Sequence, residues 1–166
     1  MDSSGSMNGV VHSVNVSEGG GVPKLPIRAA NVRYEGMEGD HNRFRAERRG
    51  GDPRRAINIF SLERIGQLQD EGHSIEVGST GENITIEGMD WDTLEVGMIL
   101  RVGEATIQLS EPCAPCYKIE GSFADGRFAR VDHEQEFGWS RWLASVLEEG
   151  MVSTGDMVSI LAPGEN

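Results

Sequence analysis

The sequence predicts a mainly β fold, a β-barrel with a few helices. Glycine supplies 22 of the 166 residues, about twice the usual share of roughly 7%, with no collagen-like period. Short apolar or alternating stretches are separated by glycine-containing turns, and only two stretches have helical spacing. Short strands separated by tight turns are typical of sandwiches and barrels, so we expect a barrel that carries helices at its ends.

The strands are predicted where apolar and polar residues alternate, or where a short apolar run is bounded by turn residues. They span residues 10–16, 27–34, 56–60, 84–86, 99–102, 105–109 and 157–161. Gly103-Glu104 separates two of them and predicts a tight hairpin turn. We expect Pro112 and Pro115 to end the preceding strand and to make the following loop rigid.

The two helices are predicted from apolar residues spaced three and four positions apart. The first begins after Ser61, a suitable N-cap, and extends to about residue 71. The second spans residues 137–149 and is the more strongly patterned. We therefore assign Trp139 and Trp142, with Trp91, to packing in the interior rather than to the wall of a substrate site.

The length is that of one domain. We expect residues 1–7 to form a flexible tail and residues 8–163 to form a single domain. The chain has 15 basic and 27 acidic residues, with a formal net charge of -12. This balance excludes general nucleic-acid binding and binding to an acidic membrane surface. No apolar run is long enough for a membrane span and no secretory signal is visible, so we expect a cytoplasmic protein.

Six arginines lie between Arg43 and Arg55, and Gly50 and Gly51 lie within this stretch. Glycine lets backbone N–H groups approach an anion, and arginine adds a planar pair of donors. A small anion or a phosphate is therefore one interpretation of this segment. The other, which the charge pattern alone favours, is a loop whose arginines pair with acidic residues at the surface.

Both cysteines lie in the segment Cys113-Ala114-Pro115-Cys116. Half of a zinc site is a weak interpretation, because there is no second cysteine pair and the four histidines are scattered. A thioredoxin-like redox pair is also weak, since no helix is predicted after Cys116. A single thiolate on a rigid loop would suit a soft metal or sulfur transfer. Two partly buried cysteines without a role remain an equal alternative.

Taken in order along the chain, several short motifs resemble the MOSC domain, the family named after the C-terminal domain of molybdenum cofactor sulfurase. The resemblance covers roughly residues 10–161, and its MOSC-type β-barrel agrees with the fold predicted above. The matching segments are Gly21-Val22-Pro23-Lys24, residues 36–40, Gly50-Gly51 with Arg55-Ala56-Ile57, residues 81–85, 96–97, 103–105, 111–116 and 147–156.

The resemblance implies a molybdenum cofactor (molybdopterin), a pterin with a dithiolene and a phosphate. It also implies that Cys116, which follows Pro115, is the metal ligand and the catalytic residue. Thiolate is a soft anionic donor, which suits this metal. Cys113 is secondary: a disulfide or persulfide partner, or a residue without a role.

By position, Lys24 and Arg55 would bind the phosphate and polar groups of the pterin, with Asn83 as a further polar contact. Glu82 would act on the pterin or orient an arginine. Gly50 and Gly51 would offer backbone N–H groups to the cofactor.

One departure from the family pattern concerns the residue before the glycine pair. The family often has histidine there, whereas this chain has Arg49. Arg49 could add a phosphate contact or point to solvent, and His41 is a weaker candidate to replace the missing histidine.

The resemblance implies three functions, in decreasing order of preference. The first is an oxidoreductase that reduces small N-hydroxylated compounds and takes electrons from a separate electron-donor protein, since two cysteines cannot hold an iron–sulfur cluster. The second is a sulfur carrier, with a persulfide on Cys116 and a separate sulfur donor, or a module that delivers the cofactor. The third is a domain with a degenerate site that acts only through interactions.

Overall fold

The computed structural model describes residues 7–41 and 51–164. Within these ranges the chain forms eleven strands and one α-helix, together with short 3-10 turns. The strands are β1 (Met7–Val16), β2 (Leu25–Ile27), β3 (Ala29–Arg33), β4 (Gly36–Met37), β5 (Ile57–Ser61), β6 (Ile84–Glu87), β7 (Ile99–Val102), β8 (Ala105–Cys113), β9 (Arg141–Glu148), β10 (Gly150–Ser153) and β11 (Met157–Ala162). The helix α1 is Leu62–Asp70, and the 3-10 turns are Pro53–Arg55, Trp91–Thr93, Tyr117–Ser122, Ala124–Gly126 and Phe128–Val131.

Seven strands close into a barrel in the order β11-β7-β8-β9-β5-β6-β1, with β1 pairing back to β11. Neighbours are antiparallel except β5 and β6, which run parallel. Strand β2 extends the sheet beyond β1, and β10, β3 and β4 form a small second sheet. The predicted β-barrel with few helices is confirmed. Among the described residues, no helix is long and apolar enough to cross a membrane.

The barrel interior is filled by the apolar residues of its strands. Every residue of β5 is buried, and Phe60 packs edge-on against Trp91 with ring centroids 6.2 Å apart. The Trp91 indole N–H donates to the Ser140 carbonyl oxygen at 2.7 Å, so its one polar atom is satisfied in the interior. Each such large side chain contributes about 1.5–3 kcal/mol on burial. Trp142 is also buried, as predicted for the interior.

The first predicted helix is confirmed as α1. The Ser61 hydroxyl accepts a hydrogen bond from the backbone N–H of Arg64 at 3.1 Å, which is the expected N-cap. Ile65 and Leu68 are buried on one face. Local capping and apolar spacing were therefore sufficient to predict this element.

The second predicted helix, over residues 137–149, is wrong. Residues 141–148 form strand β9, which lies between β5 and β8 in the barrel. Its first four residues are all buried, so both faces of the strand are covered and the apolar run does not alternate. Such a run does not alternate between apolar and polar residues. Its apolar residues therefore also occur three and four positions apart, which is the spacing expected of a helix.

Trp139 lies just before β9 and is partly buried between two arginines, not on a helix. The guanidinium carbons of Arg64 and Arg130 lie 4.4 and 3.9 Å from its ring centre. Arg130 also donates to both carboxylate oxygens of Glu71 at 2.8 Å, and this hydrogen bonding holds the pKa of Glu71 below its usual value. These cation–π and ionic contacts attach the segment before β9 to the end of α1.

Two strand boundaries also differ from the prediction. Strand β8 does not stop before Pro112 but continues to Cys113, with Pro112 opposite Trp142. Among the described strands, β7 pairs with β8 only as far as Gln108. No described strand pairs with Pro112 on that edge, so its missing backbone N–H is not needed there. The strand expected at residues 27–34 is divided into β2 and β3, which belong to different sheets.

Candidate functional site

The two cysteines have opposite environments. Cys113 is the last residue of β8 and is buried, whereas Cys116 is exposed. Cys116 has an extended backbone and immediately precedes the turn Tyr117–Ser122, whose Ile119 N–H donates to the Cys116 carbonyl oxygen at 3.1 Å. Of the two thiols, only that of Cys116 is open to a ligand from solvent.

Asparagines connect Cys113 to the neighbouring barrel strands. The side-chain amide of Asn58, on β5, donates to the Cys113 sulfur at 3.6 Å. The backbone N–H of Asn58 in turn donates to the side-chain oxygen of Asn83 at 3.0 Å. Asn83 immediately precedes β6, which lies beside β5 in the barrel. The polar side chain at position 83 is thereby linked to the strand end that carries Cys113.

Lys24 and Asn83 meet through a residue that was assigned no role from sequence, Asp40. The Lys24 ammonium donates to the two Asp40 oxygens at 2.7 and 2.6 Å, and the Asn83 amide donates to Oδ2 at 3.0 Å. The Lys24 and Asp40 side chains are only 8% and 5% exposed. The Ser17 backbone N–H donates to Oδ1 at 2.7 Å. The positive charge of Lys24 is therefore neutralised inside the protein.

Glu82 is fully buried, and its own loop satisfies its carboxylate. The Gly78 N–H donates to Oε2 at 2.9 Å, the Thr80 hydroxyl to Oε1 at 2.7 Å, and the Thr85 hydroxyl to Oε2 at 3.0 Å. By these hydrogen bonds, Glu82 stabilises the turn that precedes β6.

Gly78 is required for this turn. It has a φ of +81°, and a Cβ at this position would collide with the Lys24 carbonyl oxygen. We expect Gly78→Ala to lower the free energy of unfolding by about 3 kcal/mol, because it adds both backbone strain and a steric clash. Urea unfolding followed by circular dichroism would measure the loss. Gly66→Ala is the matched control, since nothing lies within 4 Å of a Cβ there. Equal stability of the two variants would contradict the expected role of Gly78.

Arg141 is a buried cation that was not among the predicted site residues. It is 5% exposed and lies opposite Cys113 in the pairing of β8 with β9. Its Nη1 donates to the Thr80 carbonyl oxygen at 2.7 Å, which joins β9 to the Glu82 turn. Among the described residues, Arg141 Nε has no hydrogen-bond partner, and neither has the buried Asn58 Oδ1. The surroundings of Cys113 thus contain two unsatisfied polar atoms.

The arginine-rich segment is described only in part. Gly51 has a φ of +81°, and the Asp52 carboxylate accepts from the Arg54 N–H at 2.9 Å, which begins the turn Pro53–Arg55. The Arg55 guanidinium lies 3.8 Å from the Glu111 carboxylate, on the strand that ends at Cys113. Gly50, Arg49 and most of the other predicted anion-binding arginines lie outside the described residues.

His41 is exposed, and within the described chain its side chain forms no hydrogen bond with Lys24 or Asp40. Its backbone N–H donates to the Ser17 carbonyl oxygen at 3.0 Å. The sequence motifs did not identify Asp40, Asn58 or Arg141 as site residues. Asn58 and Arg141 could have been noticed as polar residues inside apolar runs. Asp40 lies in a matching motif, but only the folded chain places it against Lys24.

The family model for the MOSC domain matches residues 46–159, which is more than half of the chain. The chain is 30% identical over 147 residues to the "Uncharacterized protein YflK" of Bacillus subtilis, covering 87% of this chain and 65% of YflK. It is 32% identical over 123 residues to YiiM of Escherichia coli, covering 71% of this chain and 53% of YiiM. The chain therefore spans only part of the length of either relative.

A third relative is a protein named "Reductase" from Gibberella moniliformis, 30% identical over 87 residues, which are 52% of this chain and 15% of the relative. The crystal structure of YiiM from Escherichia coli superposes with a TM-score of 0.70 at 25% identity. It covers 96% of this chain and 72% of that one. The barrel described above is thus the architecture of this relative.

Proposed function

This chain belongs to the MOSC domain family, and we propose that it binds the molybdenum cofactor and reduces small N-hydroxylated compounds. In this proposal the Cys116 thiolate is the single protein ligand of the metal. The family is associated with the molybdenum cofactor in general. The similarity to a protein named "Reductase" supports an oxidoreductase within that family.

The observation that carries the proposal is the exposure of Cys116, three positions after the buried Cys113 and its polar neighbour Asn58. A metal ligand has to be reachable and soft, and Cys116 meets both requirements on a loop that directly follows a barrel strand. The buried Cys113 lacks that access. Pro115 and the turn after Cys116 limit the movement of the loop, so the thiolate would be held in place before a ligand arrives.

The polar groups around this loop fit an anionic pterin cofactor. Arg141 offers a buried guanidinium with an unsatisfied Nε, and Arg55 lies along the same strand end beside Glu111. Arg55, with Gly51, would bind the phosphate, while Asn83 would contact the pterin. Lys24 could contribute only by sharing its charge with Asp40.

When bound, the molybdenum centre supplies the oxygen-atom and electron chemistry. The overall reduction is R–NHOH plus two electrons and two protons to R–NH2 and water. A separate electron-donor protein provides the electrons. This chain's own residues hold the cofactor and leave the open side near Cys116 to a small substrate.

A second candidate is sulfur carriage, and it is favoured by the same exposed thiol. The Cys116 thiolate would attack the terminal sulfur of a donor persulfide, forming a Cys116 persulfide and releasing the donor thiolate. The buried Cys113 three positions earlier would be a bystander. This function needs no metal but does need a separate sulfur donor.

Metal and pterin analysis separates the two candidates. The protein is produced in a host that makes the cofactor, and its molybdenum, pterin and persulfide contents are measured per chain. We expect about one molybdenum per chain, and reduction of an N-hydroxylated test compound with a reduced viologen dye as electron source. Protein that contains persulfide but neither molybdenum nor pterin would overturn the proposal in favour of sulfur carriage.

A further inference from the structure

We propose that Arg141 is an oxyanion-binding residue of this site, which binds a phosphate-like group beside Cys113. This inference rests on the proposed function for the position of the site beside the cysteine loop, but not for the chemistry of the ligand. The ligand chemistry is that of a tetrahedral oxyanion, which could be the phosphate of a cofactor or an anionic group of a substrate.

Arg141 has no counter-charge within the described ranges. Seven other described arginines form ion pairs with carboxylates: Arg33, Arg54, Arg55, Arg64, Arg101, Arg127 and Arg130. Arg141 is the buried arginine of the described chain, yet no carboxylate lies within ion-pair distance of it there. Burying an unpaired charge is costly, so a fold retains it only where something compensates the charge.

Glu82 is the buried carboxylate near Arg141, but its contacts are directed elsewhere. It accepts from the Thr80 hydroxyl, while Arg141 donates to the Thr80 carbonyl oxygen. Thr80 therefore lies between the two charges. Both Glu82 oxygens are already occupied by Gly78, Thr80 and Thr85. Glu82 therefore takes none of the remaining Arg141 donors.

The unused donor belongs to a side chain on the same face of the barrel wall as Cys113. Arg141 and Cys113 are directly opposite in an antiparallel pair, so their side chains lie on the same face of the barrel wall. The bond from Nη1 to Thr80 fixes the plane of the guanidinium, and Nε is left without a partner. A planar guanidinium with free donors is the side chain best suited to bind an oxyanion.

Asn58 supplies an independent sign of a ligand position beside Cys113. Its amide contacts the Cys113 sulfur, while its buried Oδ1 has no hydrogen-bond partner among the described residues. Buried polar atoms are normally satisfied, so two orphaned atoms around one residue mark a place where a polar ligand would complete the contacts. A hydrogen phosphate ion offers both acceptor oxygens for Arg141 and a donor O–H for Asn58.

The test uses inorganic phosphate as the probe on the full chain. Thermal unfolding is followed at increasing phosphate and constant ionic strength, for the wild type and for Arg141→Met, Arg141→Lys and the control Arg101→Met. Each variant is compared with its own phosphate-free midpoint. Arg101 is a suitable control because it lies on β7, is half-exposed and pairs with Glu148.

We expect phosphate to stabilise the wild type and Arg101→Met equally, and to bind at least about tenfold more weakly to Arg141→Met, as loss of a charge-assisted hydrogen bond implies. Arg141→Lys should give an intermediate affinity, and it keeps the test decisive if Arg141→Met does not fold. Phosphate affinity unchanged in both Arg141 variants would overturn the inference.

The pterin content of the same variants identifies the source of the oxyanion. Loss of pterin from Arg141→Met indicates the cofactor phosphate. Retained pterin, with a raised KM for an anionic substrate and not for a neutral one, indicates the substrate. The phosphate measurement requires no metal. Arg141-dependent phosphate binding in a protein that never takes up molybdenum would therefore reject the proposed function and leave this inference standing.

Discussion

Cys116→Ser is expected to abolish molybdenum retention, reducing it from about one atom per chain to background, while the fold stays intact. Serine is a hard, neutral oxygen donor and cannot replace a soft thiolate. Because Cys116 is exposed, we expect the free energy of unfolding to change by less than about 0.5 kcal/mol. Metal analysis and urea unfolding of the same preparation measure both quantities.

Cys113→Ser is the matched control for this prediction. Its sulfur is buried and contacts the Asn58 amide, so its replacement should reduce stability by about 1 kcal/mol and leave molybdenum bound. Cys116→Ser should therefore lose molybdenum but not stability, and Cys113→Ser should lose stability but not molybdenum. Equal loss of molybdenum from both variants would contradict a single protein ligand.

The second large effect is expected at the buried ion pair. Lys24→Met should lower the free energy of unfolding by about 3–5 kcal/mol, because it leaves the Asp40 carboxylate buried without its cation. Among the residues that the structure describes, the Ser17 N–H and the Asn83 amide would still donate to Asp40. Equilibrium urea unfolding at pH 7 measures the loss.

A double-mutant cycle shows whether the loss comes from the uncompensated charge. Lys24→Met combined with Asp40→Asn removes both charges and should recover most of the stability lost in Lys24→Met alone. Arg33→Met with Glu38→Gln is the exposed control pair and should cost at most about 1 kcal/mol. Additive losses at Lys24 and Asp40 would contradict a coupled pair.

The Lys24–Asp40 ion pair makes Lys24 a weaker candidate for binding phosphate than the sequence predicts. Motif position predicted Lys24 and Arg55 as the phosphate-binding residues, because a sequence does not show which cations are already paired with carboxylates. In the folded chain, the Lys24 charge is matched by Asp40, and Arg55 lies near Glu111. Arg141 is the buried cation of the described part that has no carboxylate within ion-pair distance. Substitution of Lys24 therefore tests stability, whereas substitution of Arg141 tests the affinity for an anion.

Elements whose cause is local could be predicted from the sequence. The alternation over residues 10–16 predicted β1, and the turn Gly103-Glu104 predicted the hairpin of β7 and β8. Ser61 and the apolar spacing after it predicted α1. The order of the short motifs predicted the family. In each case a few neighbouring residues carry the signal, since turn conformations, caps and half-buried strands depend on local chemistry.

The tertiary structure decided the features that depend on distant partners. Residues 141–148 form a strand because β5 and β8 pair with its two edges. Its first four residues are buried on both faces, so the run lacks the alternation that would reveal a strand. Pro112 is tolerated because β7 ends its pairing before that position. The folded chain likewise joins Asp40 to Lys24 and leaves Arg141 without a carboxylate partner in the described residues. Burial and charge compensation are set by residues far apart in sequence, so these properties arise only when the barrel closes.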